Sequence, residues 1–93
     1  MNESSGQQAS KTARPPGPFQ TEREARLAAS HIISSPPAAW GTGNRQLLED
    51  ACKAAGVELG AFDHRIVIWL AGFEPSTVAT IAALIARAGK ARA

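Results

Sequence analysis

Apolar residues recur along this chain at helical spacing, in blocks separated by Pro and Gly. Leu47, Leu48, Ala51, Cys52 and Ala55 predict a helix with Asn44 as its N-cap and Gly56 in the left-handed position after its end. Val57 to Gly60 then form a short link, with Val57 and Leu59 plugging the core. Ala61 to Ala71 predict a second helix, apolar on every side through Ile66, Val67, Ile68, Trp69 and Leu70. A helix of that kind is central in its fold or shared with a partner, and the expectation is that it forms the centre of this one. The run is β-branched, so a short strand is the rival reading; the Phe62–Ile66–Trp69/Leu70–Phe73 spacing favours helix. Gly72-Phe73 makes a turn, and Pro75 suits the first position of a last helix, where its missing N–H costs nothing. Val78, Ile81, Ala82 and Ile85 line one face of that helix, which Gly89 is expected to end, leaving 90–93 as a frayed tail.

Upstream the pattern thins. Thr21 with Glu24 three residues on is a capping-box pattern, opening a helix that Ser35-Pro36-Pro37 stops. Its apolar face is narrow (Ala25, Leu27, Ala28, His31, Ile32), so 21–35 reads as a loosely packed helix. Residues 36–43 read as a connector holding Trp40, first as an anchor that pins the loop and second as a partner-facing aromatic. Residues 1–20 are rich in Ser, Gln, Gly and Pro and read as a disordered tail. The fold class is all-α: a small three- to four-helix domain, compact over 44–89, with a helix-turn-helix-like last pair.

Composition narrows the picture. In 93 residues there is room for one domain of marginal stability, which an oligomeric partner would help. Cys52 is the only cysteine, which excludes an internal disulfide, fits a reducing, cytoplasmic location, and reads as a buried core residue. Cys52, His31 and His64 match no zinc-ligand spacing, and no cofactor is expected. Net charge is +2, and no region is strongly basic; the positive excess gathers at Arg87, Lys90 and Arg92, where a helix C-terminus favours cations anyway. Gly72, Glu74 and Pro75 interrupt the least charged stretch, so no membrane span is expected.

The segment Leu70 to Ile81 carries the one motif with a mechanism. Gly72, Phe73, Val78 and Ile81 stand where a helix-turn-helix wants its turn glycine and seating residues, although Ile68 occupies a position that prefers a small residue. Such a helix would read DNA with Ser76, Thr77 and Thr80 and hold phosphates with Arg87 and Lys90. It lacks the Arg, Lys, Asn or Gln that reads base edges between Glu74 and Ala86. No phosphate-binding loop or nucleophile elbow is present, and Asp63 and His64 are adjacent, so on a helix they diverge by about 100° and cannot act as a pair. No enzyme and no small-molecule substrate are expected.

The run Gly56-Val57-Glu58-Leu59-Gly60-Ala61-Phe62-Asp63-His64-Arg65-Ile66-Val67, with Trp69-Leu70-Ala71-Gly72-Phe73-Glu74-Pro75 and Thr77 after it, resembles a group of short actinobacterial proteins, some of phage or mobile-element type. The resemblance spans about half of the chain, Asn44 to Ala88. It marks Asp63, Arg65, Trp69 and Glu74 as a shared set, for which the plainest account is a structural ion pair plus a core tryptophan. It brings no functional residues with it. The expected function is a non-enzymatic helical module that binds a protein partner or itself through Trp40, Trp69 and Phe73. The alternative is a helix-turn-helix regulator that binds duplex DNA.

Overall fold

The computed structural model describes residues 15–92. Most of the tail expected to be disordered therefore lies outside the described residues. The described chain is all-α, with no strand: α1 (Glu22–Ala28), α2 (Ser30–Ile33), a 3-10 turn (Pro37–Ala39), α3 (Trp40–Ala54), α4 (Ala61–Leu70) and α5 (Pro75–Arg92).

Capping chemistry sets most of the boundaries. The Thr21 hydroxyl accepts from the Glu24 N–H at 3.2 Å, and the Glu24 carboxylate accepts from the Gln20 N–H at 2.7 Å, so both oxygens satisfy N–H groups that open α1. The predicted single helix from Thr21 to Ser34 is broken at Ala29, whose φ of −101° and ψ of 14° leave the helical region. At the end of α3 the Gly56 N–H bonds the Lys53 carbonyl and the Val57 N–H bonds the Cys52 carbonyl. This is a Schellman arrangement, and Gly56 carries the positive φ of 75° that it needs. The Gly60 N–H at the head of α4 donates to the Asp63 carboxylate at 2.9 Å, which gives Asp63 a structural, capping role.

Three boundaries differ from the sequence expectation. The connector over 36–43 is shorter, because α3 starts at Trp40 and takes Gly41 and Gly43 into its first turn. Trp40 is half-buried and donates from Nε1 to the Ser35 carbonyl at 3.0 Å, so it pins the chain where α2 hands over to α3, as an anchor would. Asn44 is accordingly not an N-cap but a fully buried residue inside α3. Gly89 does not end α5, which runs on to Arg92. It is a glycine for another reason: a Cβ there would lie 2.5 Å from both Cα and Cβ of Ala55, so α5 crosses the end of α3 at backbone contact.

The core is built by α5, not by α4. Leu48 and Ala51 of α3, Val67 of α4, and Val78 and Ala82 of α5 form it, with Leu47, Leu59, Leu70, Ile81 and Ile85 packed around. The second face of α5, carrying Ser76, Ala79 and Ala83, is also buried, and α1 packs along α5 more extensively than on any other helix. Ala25, Ala29 and Ile32 of the first two helices are all buried. The segment expected to be loose is thus docked, and small residues on both sides let the backbones approach. The predicted central helix α4 is peripheral and contributes Val67 as its one buried side chain.

Candidate functional site

The helical spacing of α4 sorts its residues into two faces. Val67 and Leu70 turn inward against α3 and α5. Phe62, Ile66 and Trp69 follow one another at i, i+4 and i+7 on the other side, with 68%, 40% and 62% of their surfaces exposed. Phe73 follows just beyond the helix and sets its ring edge-on to Trp69, centroids 5.0 Å apart and planes at 75°. That geometry is the favoured one for an aromatic pair. The four side chains make a continuous apolar stripe, with Ile68 also exposed on the outer flank.

Asn44 holds the end of this stripe in place. Its Nδ2 donates to the Ala71 carbonyl at 3.0 Å and to the Phe73 carbonyl at 2.8 Å, reaching from α3 into the α4–α5 turn. The turn itself tightens by i→i−3 bonds from the Gly72 N–H to the Trp69 carbonyl and from the Phe73 N–H to the Leu70 carbonyl. Gly72 sits in the turn between α4 and α5 without a positive φ. Val78 is fully buried and Ile81 half-buried, as the motif requires, but Phe73 faces out instead of seating the second helix, and Ile68, also exposed, crowds nothing.

The residues considered for DNA contact are scattered by the packing. Ser76 is buried, and the Thr80 hydroxyl donates to the Ser76 carbonyl at 2.9 Å while lining the cleft between α5 and the start of α1. Arg87 donates from Nη1 to the Pro16 carbonyl at 3.0 Å, so the strap of chain at Pro16 lies against α5. Thr77 and Lys90 are exposed. The outward strip of α5 runs Thr77, Leu84, Ala88, with no charged or amide side chain among them. Of the partner-contact candidates, Trp69 and Phe73 come together, while Trp40 is engaged as an anchor. Phe62 and Ile66, not among those candidates, lie on the same exposed face. Their signal was in the sequence as the spacing that identified the helix, but the same spacing describes a core face.

Charges around the stripe are sparse. Arg45 pairs with Glu49 at 2.9 Å on the surface of α3, and His64 Nδ1 stands 4.0 Å from the same carboxylate. Arg65 borders the stripe near its start and Glu74 follows its end, both exposed. Among the described residues no group of three or more His, Cys, Asp or Glu is placed to hold a metal, and no helix is long and apolar enough to cross a membrane. Cys52 is buried, and its thiol is pushed above the ordinary value of 9.0, first by burial and then by the charges of Asp63 and Glu49, so it stays protonated and unreactive at neutral pH.

The arrangement defines a small all-α domain with an exposed aromatic stripe on the peripheral helix α4. Comparison with protein-family models, curated proteins and solved structures finds no match for the chain.

Proposed function

We propose that this chain is a helical interaction module that binds a protein through the outer face of α4. The observation that carries the reading is the exposure of Phe62 and Trp69, at 68% and 62%, on a helix whose other face is seated in the core. Aromatic anchors held on a rigid element are the side chains that dominate protein interfaces. Asn44 ties down the backbone at Phe73, and the Trp69 and Phe73 rings pack edge-on against each other. The module acts by docking, with no catalytic step.

The test is affinity capture from cells that make this protein, using the natural chain and a Trp69→Glu variant, with captured chains identified by mass spectrometry. A protein, or this same chain, retained by the first and lost by the second is the expected result. Identical profiles overturn the reading. Duplex-DNA binding through α5 is the weaker alternative, because α1 covers the face that carries Ser76 and Thr80 and the strap occupies Arg87. A low-salt mobility shift that Arg87→Ala weakens would revive it.

A further inference from the structure

The chain ahead of α1 is held to α5 by one side chain. Arg87 donates from Nη1 to the Pro16 carbonyl at 3.0 Å. The next residue, Gly17, has a φ of 92°, in the left-handed region that favours glycine. A Cβ on Gly17 would also collide with the Arg87 guanidinium, so the strap meets that group at backbone distance. Two residues further on, Phe19 is half-buried and shares a cleft with Ser76, Thr77 and Thr80 of α5. The strap thus runs along α5 from Arg87 toward its first turns, and hands over to α1 at Thr21.

The strap offers Arg87 an uncharged acceptor. A guanidinium bonded to a phosphate oxygen makes a charge-assisted hydrogen bond, roughly twice as strong as a neutral one and often two-pronged. Lys90 is exposed one turn further along the same side of α5. Among the described residues neither cation has an ion-pair partner, and no Asp or Glu follows Glu74 in the sequence. On the strap's side, one hydrogen bond to α5 and a half-buried Phe19 stand against the entropy of ordering the segment, so the closed state holds by a small margin. We propose that the strap is a latch opened by a phosphoryl anion. Arg87 and Lys90 take the anion, the guanidinium lets go of the Pro16 carbonyl, and Phe19 leaves the cleft at the start of α5. Binding at one end of α5 thereby changes the surface presented at the other. The α4 stripe takes no part in this, so the latch stands or falls apart from the interaction-module reading.

Backbone order parameters of the full chain, from NMR relaxation, test it with tripolyphosphate as the anion and sodium chloride matched for ionic strength. The amides of Gly17 and Phe19 should fall from about 0.8 to below about 0.6 as tripolyphosphate rises to ~10 mM, while those of α3 and α5 hold. Half of the change should come near ~1 mM, and Lys90→Ala should raise that concentration about threefold or more. Arg87→Ala should loosen the strap without any anion and leave it indifferent to one. Gly17→Ala should loosen it too, and since no strap then competes for Arg87, tripolyphosphate should bind about threefold or more tighter. A strap that stays ordered in tripolyphosphate, or that loosens equally in matched sodium chloride, overturns the latch. So does a strap that stays ordered in Arg87→Ala. A half-point unmoved by Lys90→Ala overturns the two-cation site. Should circular dichroism show Arg87→Ala unfolded, Gly17→Ala decides: tighter binding of tripolyphosphate supports the latch, and unchanged affinity overturns it.

Discussion

Asn44 is the residue whose replacement tests most directly how this fold supports its exposed stripe. Its side chain is completely buried and supplies two hydrogen bonds across 27 and 29 residues of sequence, to the carbonyls of Ala71 and Phe73. Each such bond contributes about 0.5–1.5 kcal/mol net, and a buried carbonyl left without a donor costs about 1–3 kcal/mol. Set against this, Asn44 Oδ1 is itself buried with no hydrogen-bond partner among the described residues, so deletion relieves one desolvated acceptor. Asn44→Ala should therefore lose ~2–4 kcal/mol, a large part of the stability of a chain this small. At roughly 4–8 °C per kcal/mol for a domain of this size, the melting temperature should fall by ~8–32 °C. Asn44→Asp should be worse near neutral pH, because a carboxylate oxygen would face the same two carbonyl oxygens. In that variant the buried Asp would have its pKa raised above the unfolded value. Its stability contribution would be full below the unfolded carboxylate pKa of about 3.9 and lost as pH rises through the folded value, so the deficit relative to the natural chain should shrink in acid. Urea unfolding followed by circular dichroism measures all three proteins at several pH values. A loss under about 0.5 kcal/mol for Asn44→Ala, or a deficit of Asn44→Asp that does not change with pH, would refute the account of the turn.

Two further outcomes follow from the packing. Gly89→Ala should destabilise, although alanine gains up to about 1 kcal/mol of helix propensity, because the new Cβ would stand 2.5 Å from backbone and side chain of Ala55; overpacking of this kind costs ~1–3 kcal/mol, and a rise in the urea midpoint would contradict it. Cys52 should resist a thiol reagent in the native chain and react once urea unfolds it. Its folded pKa lies above the ordinary 9.0, so its contribution is complete below that value and lost as pH climbs through the folded pKa; Cys52→Ala should flatten the alkaline limb of the stability–pH curve.

The stripe on α4 was half legible in the sequence. The spacing Phe62–Ile66–Trp69–Phe73 is visible there, and so is a helix apolar on every side. Periodicity cannot say which neighbour takes which side. The expectation placed α4 at the centre of the fold, and a core tryptophan at Trp69. The structure gives the centre to α5, because its small residues Ser76, Ala79 and Ala83 admit α1 on one side while Val78 and Ala82 meet α3 on the other. With both sides of α5 occupied, α4 is left at the margin with one face covered.

Local chemistry determined the elements that sequence reading found. Thr21 opens α1 through its side-chain hydroxyl, Gly56 ends α3 in the left-handed conformation, Pro75 opens α5 where its missing N–H costs nothing, and the pattern of Leu48, Ala51, Val78 and Ala82 named the core residues of α3 and α5. What needed the tertiary structure were the positions whose partners are remote. Asn44 looks like a cap until α3 is seen to begin at Trp40 and the α4–α5 turn is seen to lie over it. Gly89 looks like a terminator until Ala55 is found where its Cβ would stand. Ser76 and Thr80 look like a reading face until α1 covers it. A cap or a turn is decided within a few residues; burial is decided by whichever helices arrive from elsewhere in the chain.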